Sequence, residues 1–85
     1  MKIEYDETKN FANIVKHSVS FERVIDFSFD FTKIDDRFDY GEVRYISYGF
    51  LDNRLHVLIW TSRSGIIRPI SFRKANERER KLYEI

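Results

Sequence analysis

Apolar and polar positions alternate along much of the C-terminal half of this chain, and recur at helical spacing near its N-terminus. From Gly65 onward, Ile66, Arg68, Ile70 and Phe72 alternate with Ile67, Pro69, Ser71 and Arg73, which predicts a strand. Pro69 cannot donate to a ladder, so that strand should lie at an edge or be irregular there. Asn76 followed by Glu79 has capping-box spacing and starts a short basic helix that runs to Tyr83. Upstream, Val43 to Leu51 and Leu55 to Thr61 read as two long strands, with Asp52-Asn53 as a hairpin turn. Arg63-Ser64-Gly65 makes the next turn.

The N-terminal half predicts helices. Lys2 to Tyr5 alternates as a short first strand, and Asp6 then caps a helix that stops near Ser18. Phe11, Ala12, Ile14 and Val15 are its expected buried face, and Lys16 and His17 suit its last turn. Ser20 caps a second helix, with Val19 and Val24 as a staple and Phe21, Val24 and Ile25 as its apolar face. Near Phe27 the pattern changes again, because Phe27, Phe29 and Phe31 alternate with polar residues. Asp35 to Gly41 reads as a solvated polar turn. The order is strand, two helices, a meander of three or four strands, and a helix: one α+β domain over residues 1–85, with the helices on one face of an antiparallel sheet.

Composition bounds this picture. Eighty-five residues are few for a self-sufficient core, and eight Phe, five Tyr and one Trp compensate by the area each buries. Without cysteine there is neither a disulfide framework nor a thiolate metal site. No stretch is long and apolar enough to span a bilayer, and Glu4 stands where a signal peptide would begin its apolar run. A cytoplasmic protein without membrane contact is expected. The net charge of +1 hides a division. Residues 26–42 carry six acids against two bases, whereas residues 63–85 carry seven bases against three acids. Such a division either solvates two surfaces or marks a localised site for a polyanion.

Candidate chemistry is narrow. His17 and His56 have no clustered carboxylates, so no metal is expected, and no P-loop, nucleophile elbow or dinucleotide fingerprint calls for a cofactor. His17 fits a helix-terminal role or acid–base work, and His56 fits a cross-strand or surface position. Arg44, Arg68 and Arg73 remain, since a guanidinium fork matches phosphate oxygens. Arg68 and Arg73 are of opposite strand parity and share a face only if the chain bends between them. The alternative is that each arginine pairs with a nearby carboxylate, such as Glu42 or Glu79.

These residues resemble a known family. Tyr5-Asp6-Glu7-Thr8-Lys9, Asn13 and Lys16-His17-Ser18-Val19-Ser20-Phe21-Glu22 are similar to the opening signature of the BrnT toxins, the family catalogued as DUF497. Glu42-Val43-Arg44-Tyr45 with Gly49 matches its middle. Thr61-Ser62-Arg63, then Ile67-Arg68-Pro69-Ile70-Ser71-Phe72-Arg73-Lys74-Ala75, then Glu79 and Tyr83 match its end. Two positions depart: Ser18 replaces a usual glycine, and Phe72 replaces a small residue, which could reshape the surroundings of Arg73. The resemblance implies a RelE-like fold and the toxin half of a type II toxin–antitoxin pair. It further implies RNA cleavage that halts translation, a ribbon-helix-helix antitoxin of the BrnA kind, and operator DNA bound only through the complex. On that reading Arg44, Arg68 and Arg73 hold phosphate and transition-state charge, and His17 and Tyr83 are acid–base candidates. Glu79 caps the last helix or orients an arginine. The competing class is a binding module without catalysis, acting through a partner protein or RNA.

Overall fold

A computed structural model describes residues 1–83 of the chain, so Glu84, counted in the basic C-terminal stretch, lies outside the described residues. Four antiparallel strands, β1 (Phe31–Ile34), β2 (Arg44–Leu51), β3 (Arg54–Arg63) and β4 (Ile66–Lys74), form one sheet in the order β1-β2-β3-β4. Both hairpins turn through two residues of positive φ, Asp52-Asn53 and Ser64-Gly65, the twist that suits tight antiparallel connections. The helix α1 (Glu7–His17) and a 3-10 turn (Phe21–Asp26) precede the sheet, and α2 (Glu77–Tyr83) follows it.

The sheet separates two apolar clusters. One face packs Leu51, Leu58 and Phe72 against Val19, Phe21, Val24 and Phe27 from the N-terminal half. The other carries Ile46, Tyr48, Leu55 and Val57, with Ala75 and Tyr83 over them. The N-terminal elements thus cover the first face and α2 covers part of the second, so the helices do not share one face as expected, because both faces of the sheet carry apolar residues that need cover.

Three N-terminal expectations are corrected. Lys2 to Tyr5 forms a single parallel bridge, Ile3 to Ile67, rather than a strand. The second helix is a 3-10 turn, so there is one N-terminal α-helix and not two. Phe21, Val24 and Phe27 are all buried, a spacing of three that a three-residue turn brings to one side, while Ile25 faces solvent. In α1 the buried face is polar. Phe11, Ala12, Ile14 and Val15 are exposed, Phe11 at 68% and Val15 at 69%, and Asn10 and Asn13 point inward. The asparagines replace apolar contact by hydrogen bonds to backbone. Asn13 Nδ2 donates to the carbonyls of Val19 and Phe72, and Asn13 Oδ1 accepts from Phe72 N–H. Asn10 Oδ1 accepts from Phe21 N–H at 2.8 Å.

The outer edge of β4 is therefore covered. Asn13 engages Phe72, and Ile67 exchanges backbone bonds with Lys2 and Glu4. An edge strand with satisfied backbone groups is a poor template for further pairing. Gly49 serves packing of another kind. A Cβ there would lie 2.8 Å from the backbone nitrogen of Phe29, so glycine lets the chain cross closely over β2.

The polar turn 35–41 is not wholly solvated. Asp35 is buried, and it accepts from Arg37 Nε and Nη2 at 2.7 and 2.8 Å and from the Tyr40 hydroxyl at 3.0 Å. The Arg37 bonds hold its carboxyl well below the usual aspartate range, against the opposing effect of burial. A depressed carboxyl stabilises the fold fully above its unfolded value, about pH 4, and that contribution is lost as pH falls through the folded value. Asp35→Asn is accordingly expected to lower stability at neutral pH and to flatten its decline below about pH 4. Urea midpoints measured from pH 7 to pH 2 check this, and parallel acid limbs for the two proteins would count against it.

Candidate active site

The register of the sheet decides which side chains meet. Antiparallel partners share a face, so Arg44, Thr61 and Arg68 form one row across β2, β3 and β4. Phe31, Tyr48, Val57 and Arg73 form a second row across all four strands. Both rows lie on the α2 side, because Tyr48 and Val57 belong to that cluster. Arg68 and Arg73 share this face owing to an irregularity in β4. Ile59 pairs with Ser71 and Trp60 with Pro69, which leaves Ile70 as an extra residue. A β-bulge of one residue reverses the parity of everything beyond it. The missing donor of Pro69 is tolerated at this bulged edge.

Above the second row lies α2, held by its cap. Asn76 N–H donates to Glu79 Oε1 at 2.9 Å, and Glu79 N–H donates to Asn76 Oδ1 at 2.8 Å, a reciprocal capping box. The same carboxylate takes both terminal nitrogens of Arg73, at 2.7 and 2.9 Å. Glu79 thus caps α2 and orients Arg73 at once. Each partner stabilises the charged form of the other: the Arg73 bonds push the Glu79 carboxyl down, and Glu79 pushes the Arg73 guanidinium up. One turn on, Tyr83 stacks on Tyr48 with centroids 4.0 Å apart and on Phe31 at 5.6 Å. Burial, and then the neighbouring Tyr83, push the Tyr48 hydroxyl up to about 12, so at neutral pH it is a donor. A cleft of about 210 Å³ opens here, with Lys33, Tyr48, Arg78 and Tyr83 in its walls.

The other arginines also have carboxylate neighbours. Arg44 Nε lies 3.1 Å from Glu42, and its guanidinium sits 4.1 Å from the centre of the Tyr40 ring. Arg68 is 3.1 Å from Glu4. All three guanidiniums remain partly accessible, with about a quarter to a third of each side chain exposed.

His17 stands at the flank. It ends α1 beside the bulge, where it lines a recess with Ile70 and Ser71. Ser18 after it adopts the left-handed conformation, φ 61°, which the usual glycine would take at lower cost. Partial burial, then Lys16 and Arg73, lower the His17 pKa, so the imidazole is neutral at pH 7 and able to accept a proton. Because Arg73 contributes, Arg73→Ala should raise the His17 titration midpoint, and an imidazole proton titration by NMR reads it. An unmoved or lowered midpoint would separate the two residues electrostatically.

Of the five residues singled out from sequence, Arg73 and Tyr83 thus meet around Glu79 and Tyr48. Arg44 and Arg68 share their face two positions further along the sheet, and His17 borders it. One expectation changes and two open alternatives are decided. Phe72 is fully buried on the opposite face, so its bulk fills the helix-side core rather than the surroundings of Arg73. Of the two readings of His56 the cross-strand one holds: it pairs with Gly49 and Lys74 and is buried at 3% exposure. Each arginine does pair with a carboxylate. Tyr48, Lys33 and Phe31 were not anticipated. The strand parity of Arg44, Ile46 and Tyr48 carried the signal for Tyr48.

Fold and face together define a small α+β protein that presents arginines and tyrosines on one side of an antiparallel sheet. The sequence model of the family described as "Ribonuclease toxin, BrnT, of type II toxin-antitoxin system" matches residues 5–79, and the chain belongs to that family. Among solved structures, the 1.1 Å crystal structure of the Brucella abortus ribonuclease toxin, BrnT, is similar. It shares 26% identity with a TM-score of 0.71, over 91% of this chain and 99% of that one. No curated protein matches the chain.

Proposed function

We propose that this chain is the toxin of a type II pair, a RelE-like, metal-independent endoribonuclease that stops translation by cutting RNA in the cytoplasm. The observation that carries the reading is the row Tyr48–Val57–Arg73 with Glu79 and Tyr83 above it. In-line attack of a ribose 2′-hydroxyl on the adjacent phosphate needs cations on the phosphoryl oxygens, a proton acceptor and a donor to the leaving oxygen. Arg73, with Arg68 and Arg44 along the same face, supplies the charge. His17, neutral and at the border of the face, is the acceptor candidate. Tyr83 or Tyr48 is the donor candidate, since a phenol stays protonated at neutral pH.

The partner is an antitoxin of the ribbon-helix-helix class, through which operator DNA is bound. The exposed stripe Phe11, Ile14 and Val15 on α1 supports a protein partner, because apolar side chains grouped on an exposed helix face commonly mark an interface. RNA cleavage by the purified chain with chelator present tests the activity, with Arg68→Ala and Arg73→Ala beside the wild type. Cleavage by wild type and loss in both variants supports the assignment. Wild-type cleavage that the chelator abolishes would overturn metal independence.

A binding role without catalysis has one observation in its favour: Arg44, Arg68 and Arg73 are each already paired with a carboxylate. Growth on expression of the chain alone separates the readings. Arrest requires the catalytic one, whereas normal growth together with RNA binding supports the other.

A further inference from the structure

On the opposite side of the sheet from Arg73, a cleft of about 420 Å³ opens between the end of α1, the start of the 3-10 turn and the β2–β3 hairpin. That volume is within the range of small-ligand sites, about 300–1,000 Å³. Arg54, His56 and Lys74 stand in its wall. Arg54 and His56 are two apart on β3, and Lys74 is the register partner of His56, so strand alternation gathers all three on one face.

Their bonding is incomplete. Arg54 Nη2 donates to the Ala75 carbonyl at 3.3 Å, which anchors the guanidinium, yet Arg54 Nε is shut off from solvent with no hydrogen-bond partner. A buried N–H without an acceptor is costly and calls for one. His56 Nδ1 lies 2.7 Å from the Arg54 carbonyl, so Nδ1–H donates there and Nε2 stays uncommitted. Lys74 is exposed and has no carboxylate partner among the described residues. The acid in the cleft wall is Asp52, and it is already engaged by two nitrogens of Arg23 at 2.9 and 2.8 Å. Arg54 and Lys74 are therefore like charges with no carboxylate of their own among the described residues, an arrangement that an anion between them would relieve.

We propose that this cleft is an anion site that takes a phosphate group, held by the Arg54 guanidinium and Lys74 Nζ, and joined by His56 Nε2–H when the imidazole is protonated. The phosphate belongs either to a single-stranded nucleic acid passing over the end of β4 or to a free phosphate. Arg73 and Lys74 are consecutive and face opposite sides of β4, so one polyanion could reach both. The site itself does not depend on the cleavage reading.

NMR of the full chain tests this. The signals followed are the His56 imidazole protons and Arg54 Nε–H, through a pH titration with and without inorganic phosphate. Asp52, Arg23, Arg54 and Lys74 face His56 in either case, so the added anion is the variable. Bound phosphate favours the imidazolium, so the His56 midpoint should rise and Arg54 Nε–H should shift. Lys74→Gln, an exposed substitution, should weaken both responses by about tenfold. Phosphate at tens of millimolar that leaves Arg54 and His56 unmoved overturns the proposal, and so does full affinity in both Lys74→Gln and Arg54→Gln. A single-stranded DNA oligonucleotide, which lacks the 2′-hydroxyl that cleavage needs, distinguishes the sources. Tighter, salt-sensitive binding at the same signals assigns the site to nucleic acid, and a response to phosphate alone assigns it to the free anion.

Discussion

Arg73→Ala is expected to lower RNA cleavage by about 10²–10³-fold while the chain stays folded. The size follows from what the guanidinium would do. A donor aimed at charge that develops in the transition state contributes far more to rate than to ground-state binding. Arg73 is held by a bidentate carboxylate on a capped helix, so it needs little reorganisation when phosphate arrives. The cost to folding is smaller. Glu79 keeps its bond from Asn76 N–H, and its side chain is 16% exposed, so the carboxylate left behind is not fully buried. Arg73→Lys separates charge from geometry: it keeps the cation and loses the fork, and should recover only part of the rate. Glu79→Gln should reduce cleavage less than Arg73→Ala, since it loosens Arg73 without removing it. Single-turnover cleavage by the three variants, each with circular dichroism to establish folding, gives the comparison. Wild-type rates in folded Arg73→Ala would remove this residue from the site.

The outline of the sheet was legible because its signals are local. Asp52-Asn53 and Ser64-Gly65 each tolerate positive φ, and the alternation on either side of them sets which residues face together. Asn76 and Glu79 likewise announce the start of α2, and the bonds form as the spacing predicts. The shared face of Arg68 and Arg73 was not legible. It depends on one unpaired residue, Ile70, and a bulge is visible only against the partner strand. Pro69 marked the irregularity but not its direction.

The N-terminal half misled for a different reason. Periodicity shows which residues of a helix lie together, not which face is buried. In α1 the apolar stripe is grouped as expected, yet the helix packs through Asn10 and Asn13 and leaves Phe11 and Val15 to solvent. An apolar face that a monomer leaves uncovered fits a protein that works with a partner. In the 3-10 turn the error was one of period, because Phe21, Val24 and Phe27 fit three residues per turn better than Phe21, Val24 and Ile25 fit 3.6. Of the site, the arginines were visible as residue types suited to phosphate chemistry and Tyr83 only through the family resemblance, whereas Tyr48 emerged only when register placed it between Val57 and Phe31.

Asn13→Ala should have the largest effect on stability, a loss of about 3–5 kcal/mol from a total of about 5–15 for a domain of this kind. The amide makes three bonds, all to backbone groups: it donates to the Val19 and Phe72 carbonyls and accepts from Phe72 N–H. Alanine would strand those groups beside a side chain, Phe72, that is wholly buried, where water cannot readily replace the amide. The effect would extend along β4. Asn13 ties α1 to the outer edge of that strand, and Arg68 and Arg73 sit on it, so a loosened edge degrades the geometry of the face as well as the fold. Asn13→Asp is the discriminating control. It preserves the acceptor for Phe72 N–H but sets a carboxylate oxygen against two carbonyls, so it should be at least as damaging as alanine despite its closer shape. Urea denaturation of both variants gives the answer. A loss under about 1 kcal/mol in Asn13→Ala would mean that water satisfies these groups and that the edge of β4 does not depend on the asparagine.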